Sequence, residues 1–144
     1  MDFKLVYMQE PTRWEGNGIA VVDWSADGRK LLVQIMRWPY ESDVADFDIL
    51  LYNSSFATFT KPDHNQIFGK HLGKECFLRI RVLGFASDGK VLLEADDYWG
   101  EWGSVCVPET SLWLLDPYKD KVSSLPDDYQ VQRYGSFEEH KPKD

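Results

Sequence analysis

The chain carries one eleven-residue sequence twice. DWSADGRKLLV, residues 23–33, returns 61 positions later as GFASDGKVLLE, residues 84–94. In both copies a polar turn ending in Asp-Gly separates an aromatic residue from an apolar run, and Gly28 and Gly89 can adopt the positive φ that such a turn needs. Each copy therefore predicts the tip of a hairpin made of two antiparallel strands.

The similarity between the two halves continues beyond these hairpins. FDILLYN at residues 47–53 corresponds to SLWLLDP at 111–117, and SFATFTKP at 55–62 corresponds to KVSSLPDD at 121–128. Short apolar runs that end at turn-forming residues are typical of strands rather than helices. Each half of the chain is thus predicted to hold four strands.

This succession of turn and strands resembles the TolB/WD40-like β-propeller repeats, whose pattern begins Trp-Ser-Pro-Asp-Gly-Lys. The matching residues are Trp24, Ser25, Asp27 and Gly28 in the first copy and Asp88, Gly89 and Lys90 in the second. Ala26 and Ser87 replace the proline of the pattern, and Phe85 replaces its tryptophan. The resemblance covers about residues 19–62 and 77–126. It implies an all-β fold of two four-stranded antiparallel blade-like sheets, a partial β-propeller with little or no helix.

Two blades do not close a ring, because propellers commonly have about four to eight blades that cover one another's faces. Three arrangements can cover the remaining faces: several chains form a ring, the two sheets pack with polar outer faces, or the terminal segments FKLVYMQ (3–9) and YQVQRYG (129–135) lie over the sheets. The sequence does not choose between them. We predict one domain over residues 1–135, followed by a charged flexible tail at 136–144.

The sequence also bears on the compartment and on the state of the cysteines. No run approaches the roughly 20 apolar residues of a membrane helix, and charges at Asp2, Lys4 and Glu10 interrupt the start of the chain. A cytoplasmic protein is therefore expected. In a reducing compartment, Cys76 and Cys106 are expected to be buried thiols rather than a disulfide.

Sequence motifs of known catalytic and metal sites do not occur in the chain. GxSxG, HExxH, Walker A and CxxC are all missing, and His64, His71 and His140 are expected to be solvated. Two groups of carboxylates have neither the spacing nor the central glycine of a calcium loop: Asp43, Asp46 and Asp48, and Asp96, Asp97 and Glu101. The sequence predicts no enzyme, no cofactor and no metal. Nucleic acid is disfavoured because the net charge is −8 and the pI about 4.8.

The negative charge is concentrated in two segments that occupy the same place in each repeat, between the second and third strands. Residues 36–48 carry a net charge of −3 and residues 94–109 one of −5, which together equal that of the whole chain. If the repeats are blades, both connections emerge on one side. Tryptophan and tyrosine anchor interfaces, and carboxylates steer basic partners. The residues predicted to bind a partner are Trp38, Tyr40, Glu41, Asp43, Asp46, Glu94, Asp96, Asp97, Tyr98, Trp99, Glu101 and Trp102.

These features favour a non-enzymatic inhibitor of a basic protein. The most concrete hypothesis is a cytosolic immunity protein that neutralises a nuclease toxin by covering its active site. The chain resembles bacterial toxin-immunity proteins in type only, by size, acidity and lack of catalytic motifs. We expect a monomer or dimer in isolation.

Two other hypotheses remain open at this point. The first is a carbohydrate-binding lectin subunit that trimerises into a closed six-bladed ring, with Trp38, Trp99 and Trp102 stacking on sugar rings. The second is a solitary fragment of a larger propeller, with no partner of its own, which would be prone to aggregate in isolation.

Overall fold

The computed structural model describes residues 5, 7, 8, 10, 12–41, 45–97, 106, 110–125, 130–133 and 136–139. Within these residues the chain forms ten strands and one helix. They are β1 (Glu15–Trp24), β2 (Lys30–Pro39), β3 (Asp46–Asn53), β4 (Thr58–Thr60), α1 (His64–Leu72), β5 (Leu78–Ala86), β6 (Val91–Asp97), β7 (Leu112–Asp116), β8 (Lys121–Ser124), β9 (Gln130–Arg133) and β10 (Ser136–Glu139).

The strands form two antiparallel sheets. The first has the order β1-β2-β3-β4, and the second has the order β10-β9-β5-β6-β7-β8, in which β5 to β8 repeat the meander of the first sheet. Neither sheet closes on itself, and α1 is the one helix of the described residues. The predicted fold class, all-β with two four-stranded antiparallel units and little helix, is confirmed.

The sequence repeat corresponds to a structural repeat at the level of single residues. Gly28 and Gly89 have φ values of 70° and 82°, as the predicted hairpin turns require. Each glycine N–H donates to the carbonyl three residues earlier, at 2.8 Å and 3.0 Å. The pairing is also interrupted once in each hairpin, at Val22 in β1 and at Leu83 in β5, again 61 positions apart. The two hairpins therefore share a turn and a bulge.

The core lies between the two sheets and includes one face of α1. Phe68 of α1 packs edge-on against Trp113 of β7, with ring centroids 5.2 Å apart. The largest fully buried apolar side chains of this core are Leu32, Ile49, Phe68, Ile80, Phe85, Val91, Leu93 and Leu115. Each contributes about 1.5–3 kcal/mol by leaving water, so the shared core holds the two sheets together.

Two side chains of the first sheet accept hydrogen bonds from the backbone of β5. Asp23 is fully buried, and its Oδ2 accepts the N–H of Phe85 at 2.9 Å. Gln34 Oε1 accepts the N–H of Val82 at 2.8 Å. Both side chains accept backbone N–H groups of β5 and thereby fix the position of one repeat against the other.

The helix α1, residues His64–Leu72, is the little helix in a fold predicted to have little or none. Asp63 caps its start by accepting the N–H of Gln66 at 3.1 Å. Gly73 ends the helix with a φ of 67°. A Cβ on Gly69 would stand 2.8 Å from the carbonyl oxygen of Lys74. Gly73 thus ends the helix, and Gly69 allows the following chain to pass close beside it.

Both terminal segments contact the sheets. Tyr7, from FKLVYMQ, packs on the outer face of the first sheet against Val33, Ile35 and Leu50. β9, from YQVQRYG, pairs with the end of β5 and adds a strand to the second sheet. The two sheets thus pack on each other, and the terminal segments add one strand and part of an outer covering. β10 occupies residues 136–139, where the sequence predicted the start of a tail.

Cys76 and Cys106 form a disulfide, so the expectation of two free thiols was wrong. Their Cα atoms are 5.0 Å apart, and both residues are buried in the core. Cys76 precedes β5 and Cys106 follows β6, and the pairing of Leu78 with Asp97 places both near the same end of this hairpin. The spacing of thirty residues contained no sign of this proximity. Among the described residues, no helix is long and apolar enough to cross a membrane.

Candidate partner-binding face

The β2–β3 and β6–β7 connections leave from the same end of the molecule. Arg37 and Asp46, the last pair of the β2–β3 ladder, line one cleft together with Leu78, which pairs with the last residue of β6. At the opposite end, Lys30 Nζ lies 4.8 Å from the ring centroid of Tyr118. We call the first end the connection face. It consists of residues 14, 37–41, 45–48, 63–65, 77–81 and 94–97.

Several residues of the predicted site cannot be placed on this face. Five of the predicted residues lie outside the described part of the chain: Asp43, Tyr98, Trp99, Glu101 and Trp102. Asp97 ends β6, and the position of its backbone alone is described. The binding role of these six residues stays a prediction, and the strand ends that lead to them are adjacent.

The aromatic residues at the β2–β3 end occupy different environments. The ring of Trp38 lies over Gly16 of β1, where an added Cβ would stand 2.2 Å from the ring, so Trp38 is partly buried by its neighbouring strand. Tyr40 is 57% exposed, and its N–H donates to the carbonyl oxygen of Trp14 at 2.8 Å. Trp14 is 76% exposed and was missed by the sequence reasoning. Trp14 directly precedes β1, and this place at a strand end was the signal that was overlooked.

Two of the predicted carboxylates have arginine partners across the β5–β6 ladder. Arg81 Nη2 lies 2.8 Å from Glu94 Oε2, and Arg79 Nη2 lies 3.9 Å from Asp96 Oδ2. The ladder pairs these same residues directly. Counting charge within residues 94–109 alone missed both arginines, because strand pairing brings them in from another part of the chain. This half of the face is therefore less acidic than the sequence suggested.

The β2–β3 end keeps an excess of negative charge. Asp48 Oδ2 pairs with Arg37 Nη2 at 2.9 Å and with Lys61 Nζ at 3.3 Å. Asp46 is exposed, and within the described part of the chain it forms no ion pair. Glu41 is also exposed, at a φ of 70°. Glu41 and Asp46 therefore remain available to attract a cation.

Two clefts open on the connection face and meet at Phe47. Each has a volume of about 340 Å³. The first lies between the sheets, with Gln34 on one side and the arginine–carboxylate pairs of β5 and β6 on the other. The second lies between β3, the start of α1 and the start of β5. Such clefts can hold side chains of a partner.

His64 lies in the wall of the second cleft, so the expectation of a solvated loop histidine was wrong for this residue. It is the first residue of α1 and is 6% exposed. Burial lowers the pKa of His64, while the negative charges of Asp48 and Asp63 oppose this shift. His71 is exposed on the same helix, with its ring 5.5 Å from that of Trp113. His140 lies outside the described residues.

Acidification is expected to destabilise the protein through His64. Its folded-state pKa lies below the ordinary value of 6.5, so the unfolded chain binds this proton more readily. The free energy of unfolding should therefore decrease as the pH falls below about 6.5, and this contribution should level off below the folded pKa. Urea denaturation from pH 7.5 to pH 5 of the parent, H64Q and H71Q measures it. H64Q should lose part of the pH dependence and H71Q should retain it; equal slopes in H64Q and the parent would contradict the assignment.

Among the described residues, no three His, Cys, Asp or Glu side chains are arranged so that they could hold a metal ion. The described connection face presents exposed aromatic rings, two clefts, and carboxylates that form no ion pair within the described residues. No family model, no curated protein and no solved structure matches the chain. The resemblance to TolB/WD40-like repeats therefore stays a prediction based on the Asp-Gly hairpins and the strand order.

Proposed function

We propose that this protein is a non-enzymatic binding protein that uses its connection face to cover a basic protein partner. The most concrete partner is a nuclease toxin whose active-site groove carries positive charge. The observation that carries the proposal is the common end from which the β2–β3 and β6–β7 connections depart. The strand ends that lead to the two acidic and aromatic segments are adjacent there, and connections on a rigid β scaffold are where binding residues tend to lie.

The described residues support a division of roles on this face. Tyr40 and Trp14 are large exposed rings, suited to anchor an interface. Glu41 and Asp46 are exposed carboxylates that steer a basic partner during its approach. The arginine partners of Glu94 and Asp96 reduce their contribution to steering. Asp97 and Glu101 in the second connection are proposed to supply the remaining charge.

The disulfide bears on where such inhibition takes place. Structural disulfides are typical of oxidising compartments and rare in the cytosol, whereas the sequence alone favoured a cytoplasmic address. We therefore propose that the protein meets its partner in an oxidising compartment. Thiol labelling of Cys76 and Cys106 in cells that are acid-quenched and then denatured tests this point, because both residues are buried in the fold. Blocked thiols are expected, and two labelled thiols would favour the cytosol.

Neutralising the carboxylates of the connection face is expected to slow capture of the partner. In E41Q/D46N the association rate with a copurifying basic nuclease should fall by about three- to tenfold at low salt, because steering depends on charge. D27N/D88N removes the same charge at the opposite, hairpin end and serves as the matched control. Association rates of the parent and both variants, measured between low and high salt, give the comparison.

The result that contradicts the proposal is equally specific. Equal loss of rate in the two double variants would show that overall charge matters and the connection face does not. A nuclease that stays fully active in the complex would exclude inhibition by occlusion. A trimer that binds glycans and captures no basic protein would replace the proposal with the lectin hypothesis.

A further inference from the structure

The second cleft combines one unpaired carboxylate with two aromatic side chains. Asp46 lies in its wall and is exposed to solvent. Phe47 and Phe77 also line it, and Phe77 is 54% exposed although it is a large apolar residue. An exposed phenylalanine beside a cleft provides an apolar surface without a covering partner among the described residues.

Three carboxylates act on His64 in the wall of this cleft: Asp46, Asp48 and Asp63. The two cations near them, Arg37 and Lys61, leave a net charge of −1. Asp48 is already neutralised by Arg37 and Lys61, at 2.9 Å and 3.3 Å. His64 is neutral near pH 7, because burial lowers its pKa. Asp46 has no ion pair within the described residues, so one carboxylate is left without a counter-charge. A cation that enters the cleft can therefore pair with Asp46, a carboxylate that forms no ion pair among the described residues.

We infer that this cleft receives an arginine or lysine side chain of a protein partner, with the charged group on Asp46 and the aliphatic stem against Phe47 and Phe77. Long cationic side chains bury their methylene groups on apolar surface while the head stays polar. Aromatic faces add a cation–π attraction. The volume of about 340 Å³ accommodates one such side chain.

The identity of the partner rests on the proposed function, whereas the kind of side chain that binds is inferred from the cleft alone. The test titrates the protein with N-acetyl-arginine amide and follows the backbone amide resonances of Asp46, Asn65 and Phe77 by NMR. N-acetyl-citrulline amide, which has the same shape without the charge, is the control ligand. N-acetyl-lysine amide shows whether a guanidinium or an ammonium is preferred. A dissociation constant in the millimolar range is expected for the arginine amide.

Variants locate the binding site on the protein. D46N should weaken binding of the arginine amide by about five- to tenfold, and D46E, which keeps the charge, should retain most of it. D27N, at the hairpin end, should bind as the parent does. Three results would each overturn the inference. They are equal shifts with the citrulline amide, undiminished binding in D46N, and no arginine-specific shift at the highest concentration at which the ligand dissolves.

The two proposals can fail separately. If the arginine amide does not bind but E41Q/D46N still slows capture of a basic partner, the cleft assignment is wrong and the proposed function stands. If the arginine amide binds at Asp46 but no basic partner is captured, the cleft stands and the proposed function is wrong.

Discussion

Replacing Cys76 and Cys106 together by serine is expected to lower the free energy of unfolding by about 3–4 kcal/mol. The bond closes a loop of 30 residues, and in the chain-entropy description a loop of this length restricts the unfolded chain by that amount. Both sulfur atoms are also buried in the core, so the two hydroxyl groups of the variant would lie where polar groups are unfavourable. Urea denaturation of the parent and of C76S/C106S measures the difference.

The single variants separate the bond from the side chains. C76S and C106S each break the same disulfide, so either one alone should cost nearly as much as both together. A reducing agent should bring the parent close to the double variant. If the stability of the parent did not change on reduction, the disulfide would contribute nothing and the prediction would be wrong.

The disulfide also determines how the second acidic connection is held. Cys106 lies within this connection, nine residues after the end of β6 and four residues before Thr110. Through Cys76 it is attached to the segment between α1 and β5, at the edge of the connection face. Restricting a loop in advance reduces the entropy lost on binding. Binding to a partner is therefore expected to weaken on reduction even where the fold persists.

Replacing Asp23 by alanine is expected to destabilise the protein by about 2–4 kcal/mol. The carboxylate is fully buried and accepts two backbone N–H groups, from Trp24 at 2.8 Å and from Phe85 at 2.9 Å. Alanine would leave the buried N–H of Phe85 without this acceptor and would open space in the contact between the sheets. Urea denaturation provides the measurement.

Variants with graded chemistry test the reason for this effect. D23N keeps one carbonyl oxygen and should cost less than D23A. D88N, in the equivalent hairpin of the second repeat, changes an exposed carboxylate and should stay within about 0.5 kcal/mol of the parent. If D23A were as stable as D88N, the hydrogen bond between Asp23 and Phe85 would not contribute to stability.

The pattern of the chain predicted the local structure well where turns constrain it. Asp-Gly at residues 27–28 and 88–89 admits few alternatives to a tight turn, and both hairpins form as expected. The helix α1 escaped prediction because Gly69 and Gly73 have low helix propensity. Their roles, a close approach to Lys74 and a left-handed helix end, depend on where the following chain runs.

The candidate site was less predictable than the fold. The common end of the two connections follows from the repeat, and the described strand ends are indeed adjacent there. The charge of the face did not follow, because Arg79 and Arg81 reach Asp96 and Glu94 through strand pairing. Trp38 similarly lies over Gly16, a contact that depends on the register of β1 and β2.

The sequence by itself determined the two hairpins, the four strands of each repeat and the place of the acidic segments along the chain, because these depend on neighbouring residues. Only the tertiary structure decided the disulfide, the buried carboxylate of Asp23, the burial of His64 and the pairing of the acidic residues with arginines. Each of these joins residues far apart in the chain. Their free energies depend on distance and solvent exposure in the folded state, which no local pattern of residues records.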